Sequence, residues 1–225
     1  MMLKKMSVVL AIGIVALSVA ACGNQVNHGQ APASAASGTI TNAAATSQPS
    51  SYELLYRTTI FLGDSITEGL SYHDVLKKEN VLAGAGKTAE FAMKDVDDLA
   101  GRKPERVFIQ LGSDDILWPT ADPKQYSLKH YAELIDSIKA KLPKAKITLL
   151  TVTPVTADAE KAEPRYRNIG DYNKGLKALA AKKQVGYVDL TPLVAEHSNL
   201  YDKDGIHFQA AFYPFLLDYL KDRAN

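Results

Sequence analysis

The sequence predicts a doubly wound α/β domain, a five-stranded parallel sheet held between two layers of helices as a three-layer α/β/α sandwich. Two observations predict it. From Tyr52 onward, short apolar β-type runs alternate with helix-period segments, the signature of parallel strands joined by crossover helices. Several runs also end in residues able to do chemistry, at the end of the sheet where open α/β folds hold their ligands.

The strand-like runs are Thr58 to Leu62, Val81 to Ala83, Val107 to Leu111, Ile147 to Val152 and Val185 to Leu190. Between them, Tyr131, Leu134, Ile135, Ile138 and Leu142 make one helical stripe, and Ile169, Tyr172, Leu176 and Leu179 make another. Phe208, Phe212, Phe215, Leu216 and Tyr219 share a face of the last segment and read as core packing. A flavodoxin-like strand order 2-1-3-4-5 sets the ends of the first and third strands side by side. Those ends carry Gly63-Asp64-Ser65 and Gly112-Ser113-Asp114-Asp115, with Gly84-Ala85-Gly86-Lys87-Thr88 after the second strand close by. The longest stretch without a clear element is Thr153 to Asn168.

The first fifty residues stand apart. Lys4 and Lys5 precede an uncharged stretch from Met6 to Ala21, and small residues lead to Cys22, the only cysteine in 225 residues. The stretch is short for a membrane span and suits an export signal. The pattern resembles a bacterial lipoprotein signal, which implies lipidation of Cys22 and an extracytoplasmic protein anchored to the cell membrane. An ordinary signal peptide with a chance cysteine is the plainer alternative. From Gly23 to Ser51, 26 of 29 residues are Gly, Ala, Ser, Thr, Asn, Gln or Pro, too little apolar surface to offset chain entropy, so a disordered tether is expected. The expected organisation is thus a signal over 1–22, a tether over 23–51 and a catalytic domain over 52–225. A formal charge of +1 gives no bulk attraction to nucleic acid.

A serine hydroxyl needs a base to take its proton, and the base works best when a carboxylate fixes its tautomer. Ser65 follows the first strand directly, at a helix start. Asp204-Gly205-Ile206-His207 supplies a carboxylate three residues before an imidazole, a spacing that lets one ring nitrogen meet Asp204 and the other face a substrate if His207 opens the last helix. Alone, either half of that pair is more ordinarily a turn or a structural residue. His28, His73, His130 and His197 show no ligand spacing, so no metal and no cofactor is expected. A flavin or nucleotide is disfavoured because no Gly-x-Gly-x-x-Gly turn follows the first strand.

In this order, Gly63-Asp64-Ser65-Ile66-Thr67-Glu68-Gly69, the glycine-rich turn after the second strand, Gly112-x-x-Asp115 and Asp204-x-x-His207 resemble the SGNH hydrolase (GDSL esterase/lipase) family, over about Thr58 to Tyr219. The resemblance implies that fold and ester hydrolysis. It implies Ser65 as nucleophile and backbone oxyanion donor, Gly86 as second donor with Gly84 a competing alignment, His207 as base and Asp204 as its orienting partner. Asp64 reads as a structural hydrogen-bonding residue at the helix start. The third block departs from the pattern: Asp114 stands where the family has an asparagine that donates to the oxyanion, and an ionised carboxylate only accepts. Asp114 is either held protonated by burial and neighbouring carboxylates, or turned away with the Ser113 hydroxyl or a water in its place, or the mark of an impaired site. Lys87 is a candidate counter-charge or a solvated lysine.

For substrate binding, Trp118 is a candidate wall of an acyl or sugar site or a core residue, and Arg165 a candidate anion-binding group or a solvated loop charge. The reading is an exported serine esterase, a monomer, removing acyl (acetyl) groups from an envelope glycan or a related ester. A lysophospholipase or thioesterase of the same fold, a catalytically impaired binding lipoprotein and an envelope scaffold are the alternatives.

Overall fold

Alternate residues of each strand point to opposite faces of the sheet, and helices cover both. The computed structural model describes residues 50–223. The signal segment, Cys22 and the tether up to residue 49 lie outside the described residues. In chain order the elements are α1 (Ser51–Leu55), β1 (Thr59–Gly63), α2 (Ser65–Tyr72), β2 (Val81–Ala83), α3 (Val96–Gly101), β3 (Arg106–Gln110), α4 (Pro123–Lys141), β4 (Lys146–Leu150), α5 (Ala157–Ala162), α6 (Ile169–Lys183), β5 (Gly186–Val188), α7 (Thr191–Glu196) and α8 (Phe212–Lys221). The strands pair in parallel in the order β2-β1-β3-β4-β5, as expected from the sequence.

Register explains the two cores. Ile60 pairs with Val107 and Leu62 with Ile109, and these side chains join Ile147 and Leu149 beneath α3, α4 and α6. Phe61 pairs with Phe108 on the opposite face, where their stacked rings meet α2, α7 and α8. The period of two along each strand therefore produces the three layers directly.

Three local expectations change. A helix, α1, starts at Ser51, one residue before the expected start at Tyr52, because Ser50 and Glu53 close a reciprocal capping box, with Ser50 Oγ accepting from the Glu53 N–H at 3.1 Å and the Glu53 carboxylate from the Ser50 N–H at 2.9 Å. The connection from Thr153 to Asn168 contains α5 and a 3₁₀ turn over Pro164–Asn168. α5 buries only Ala159, so it offered no apolar stripe to read. In α8 the buried residues are Phe212, Tyr213, Leu216, Leu217 and Leu220. Phe215 is 44% exposed and stacks on His197 instead of joining the core.

The sheet end that carries Ser65 is drawn together by short contacts. Gly63 has no room for a β-carbon, which would strike the Thr67 side chain and the Gln110 carbonyl, so α2 can close onto β3 only over a glycine. The Asp64 N–H donates to the Gln110 carbonyl and the Gly84 N–H to the Gly63 carbonyl, both at 3.3 Å. Asp64 itself is buried, accepts the Ile66 N–H at 3.0 Å and receives the Ser113 hydroxyl. Burial pushes its carboxyl up to about 7 against those hydrogen bonds, with help from the charges of Asp114 and Asp115.

A raised carboxyl means that the folded chain keeps a proton the unfolded chain has released. Stability from Asp64 is therefore fullest below about pH 4 and declines as pH rises to about 7. Asp64→Asn, which retains an acceptor for the Ile66 N–H, is expected to flatten that decline. Urea unfolding midpoints at several pH values between 4 and 8 check it; an unchanged pH slope would exclude Asp64 as its source.

Candidate active site

Ser65 is the first residue of α2, where the opening N–H groups of a helix have no internal acceptor. Because Asp64 satisfies the Ile66 N–H, the Ser65 N–H keeps no hydrogen-bond acceptor among the described residues. After β2, the Lys87 N–H closes a turn onto the Gly84 carbonyl at 3.3 Å, and Gly86 occupies the left-handed position with φ +72°, which favours glycine. The Gly84 N–H is already taken by Gly63, whereas the exposed Gly86 N–H has no backbone acceptor among the described residues. Of the two glycines, only Gly86 has a donor free for a ligand.

His207 does not open the last helix. It sits in a loop five residues before α8, pinned by a Tyr201–Phe208 bridge and by the Asp202 N–H donating to its carbonyl at 2.8 Å. Asp204 Oδ1 accepts the N–H groups of Ile206 and His207, each at 2.9 Å, which turns its Oδ2 to His207 Nδ1 at 2.6 Å. His207 Nε2 lies 2.8 Å from Ser65 Oγ. Burial opposes ionisation of Asp204, but the hydrogen bonds from His207 and Ile206 outweigh it and hold the carboxyl below its ordinary range. An ionised Asp204 keeps the proton on Nδ1 and leaves Nε2 to accept from Ser65.

Asp114 lies close enough to His207 to feel its charge. Its Oδ2 is buried without a hydrogen-bond partner among the described residues, burial raises its pKa, and the nearby His207 opposes that rise. Ser113 does not substitute for it, since its hydroxyl is committed to Asp64. Lys87 is no counter-charge to Asp114 either: its ammonium pairs with Asp95 and donates to the Leu82 carbonyl.

The substrate-binding expectations fare differently. Trp118 packs edge-on against Phe91, with ring centroids 5.4 Å apart, and does not line the cavity that adjoins Ser65. The Arg165 guanidinium is bound to Glu163 through two nitrogens at 2.8 and 2.6 Å and to the Leu117 carbonyl at 2.8 Å. It thereby ties the connection after β4 to the loop after β3, and is not a free anion-binding group.

Several residues have a place at the site that the sequence did not assign them. Asp115 is buried, accepts the Ala89 N–H at 3.1 Å and the Ser127 hydroxyl, and so fixes the loop bearing Gly86 against α4. Tyr166 is buried close enough to Asp114 for that charge to add to the effect of burial on its phenol. A cavity of about 160 Å³ beside Ser65 and His207 is walled by Glu68, Tyr72, His73, Asp202, Phe208 and Tyr213. Glu68 alone had a signal: it stands three residues after Ser65 on a helix, hence on the same side. Among the described residues no group of three or more His, Cys, Asp or Glu is arranged to hold a metal ion.

Comparison with known proteins bears on the fold and the family. No curated protein matches the chain. Among solved structures, a GDSL-like lipase from Bacteroides thetaiotaomicron is similar at 20% identity and a TM-score of 0.60, over 73% of this chain and 85% of that one. A lipase/acylhydrolase from Enterococcus faecalis is similar at 17% identity and a TM-score of 0.57, over 74% and 96%. A peptidoglycan O-acetylesterase is similar at 16% identity and a TM-score of 0.54, over 63% of this chain and 45% of that one. These likenesses show a shared fold. The model of the GDSL-like lipase/acylhydrolase family matches residues 61–214, which span both the Ser65 turn and the His207 loop, and the chain belongs to that family.

Proposed function

We propose that the protein is a serine esterase with Ser65 as nucleophile, His207 as general base and acid, and Asp204 as the residue that orients His207. The observation that carries this reading is the unbroken hydrogen-bonded line from Asp204 Oδ2 through His207 to Ser65 Oγ, 2.6 and 2.8 Å. Ser65 Oγ attacks the ester carbonyl as His207 Nε2 takes its proton. The oxyanion of the tetrahedral intermediate lies against the N–H groups of Ser65 and Gly86, and His207 then protonates the departing alcohol. A water deprotonated by His207 hydrolyses the acyl-enzyme by the same steps.

The substrate in this proposal is a short-chain, acetyl-type ester of an envelope glycan or related molecule. A cavity of about 160 Å³ at Ser65 has room for one ring-sized group, since an apolar cavity of roughly that size holds a benzene molecule. The shared fold with a peptidoglycan O-acetylesterase and the export-type amino terminus point the same way. The proposal includes lipidation of Cys22 and attachment to a membrane through that lipid, because one acyl anchor with further lipid holds a near-neutral domain that charge would not.

Asp114 acts in this scheme as a protonated donor to the oxyanion. Its buried, unpartnered oxygen beside His207 is the supporting observation, and a carboxylic acid donates where a carboxylate repels. The aspartate at position 114, where the family pattern has an asparagine, leaves one second reading, a binding protein in which an ionised Asp114 has abolished turnover.

Ser65→Ala is expected to lower p-nitrophenyl acetate hydrolysis by at least about 10³-fold, and His207→Ala by a comparable factor; retained turnover in Ser65→Ala would remove the nucleophile. Wild-type kcat/KM is expected to fall on the alkaline side as Asp114 ionises, by about 10²-fold, while Asp114→Asn holds its rate there. A silent wild type with an active Asp114→Asn would establish the binding-protein reading. For the anchor, wild-type protein in cell fractions should sediment with membranes and Cys22→Ser should not; identical distribution of the two would rule out lipidation at that residue.

A further inference from the structure

The cavity beside Ser65 has a chemical character of its own. Along α2, Glu68 lies one turn beyond the serine, half-buried, and its carboxylate has no hydrogen bond or ion pair among the described residues. Asp202 approaches from the His207 loop, with one oxygen accepting the Lys203 N–H at 2.7 Å. Aromatic rings join the two carboxylates into a wall. Tyr72, 77% exposed, meets His73 edge-on at 5.0 Å, and His73 lies 5.3 Å from Tyr213. The Tyr213 hydroxyl donates to the Ile66 carbonyl at 3.0 Å and occupies the space that a side chain at Gly69 would fill. Phe208 is buried against Phe212 and supports the His207 side. Neither Lys nor Arg lines the cavity; His73 and His207 are its only basic groups among the described residues.

Two carboxylates, one of them unpaired, among aromatic faces form an environment that attracts a cation and repels an anion. We infer that this cavity is the subsite for the alcohol part of the ester, that it selects an alcohol carrying a positive charge, and that Glu68 is the specificity-determining residue. The chemical class is an amino-alcohol or amino-sugar ester, its ammonium or quaternary nitrogen within a few bonds of the ester oxygen. The inference rests on the esterase reading above and deepens it. It adds no step to the reaction: the acyl oxygen bond breaks as before, and the cationic alcohol leaves with the proton from His207.

The test compares kcat/KM for acetylcholine with that for 3,3-dimethylbutyl acetate, in which a neutral carbon replaces the charged nitrogen at the same shape. The ratio of their alkaline hydrolysis rates sets the baseline, because the two alcohols differ as leaving groups. The full chain is expected to favour the cationic ester by about tenfold over that baseline, and added salt should reduce the preference. Glu68→Gln is expected to cut it at least about threefold, and Asp202→Asn, in an exposed loop, to cut it in the same direction. Reading the ratio within each variant cancels any loss common to both esters.

A wild-type ratio at the baseline, or a ratio unmoved by both substitutions, would overturn the inference. If both esters are still hydrolysed in a Ser65-dependent manner, that result leaves the esterase reading standing and removes only the cationic subsite. If neither these esters nor p-nitrophenyl acetate is hydrolysed in a Ser65-dependent manner, both fall together.

Discussion

Asp64 accepts the N–H of Ile66, and that one hydrogen bond decides what Ser65 can offer. A cap that reached back to the first residue of α2 would consume the Ser65 N–H; this one passes over it and leaves it open. The same carboxylate receives the Ser113 hydroxyl from the loop after β3, so the nucleophile turn and the Asp114 turn are held by a single buried group. Gly63 makes the arrangement sterically possible, since any side chain there would collide with Thr67 and Gln110. The cost is electrostatic: Asp64 is buried, and its carboxyl is raised to about 7.

Around that point the structure concentrates acidic groups. Asp64, Asp114 and Asp115 stand near enough that each of the two buried partners feels the charge of Asp114. Asp204 differs because three hydrogen bonds from the His207 loop favour its ionised form. Burial raises the first three carboxyls and donors lower Asp204, and pushing carboxyls apart in this way is a means by which a single site can hold both an acid and an anion. In the proposed mechanism the first kind serves the oxyanion through Asp114, and the second serves the imidazole. Glu68 and Asp202 line the cavity beside Ser65, where in the proposed scheme they meet the alcohol part of the substrate.

Loop geometry accounts for the corrections. Arg165 and Lys87 are cations near the sheet end in sequence, yet each is spent on a local partner, Glu163 and Asp95 respectively. Trp118 lies in the loop after β3 but folds onto Phe91 from the β2 loop. Pairing of this kind joins segments far apart in the chain or depends on turn conformation, and neither leaves a periodic trace. The cavity walls show the same limit: Tyr72 and His73 follow Ser65 closely, whereas Asp202, Phe208 and Tyr213 come from the far end of the chain.

The sequence by itself determined the sheet, its strand order, the two helical layers and the motif residues Ser65, Asp204 and His207, because period-two and helical patterning and short motifs are local properties of the chain. It also marked Asp114 as a departure from the family pattern. Only the tertiary structure decided that Gly86 and not Gly84 keeps a free N–H, that Ser113 is bound to Asp64, and that Asp114 has a buried oxygen without a partner. Those outcomes depend on which hydrogen-bonding groups meet when distant segments converge. A donor's availability is set by what its neighbours in space have already taken, and the linear chain does not record it.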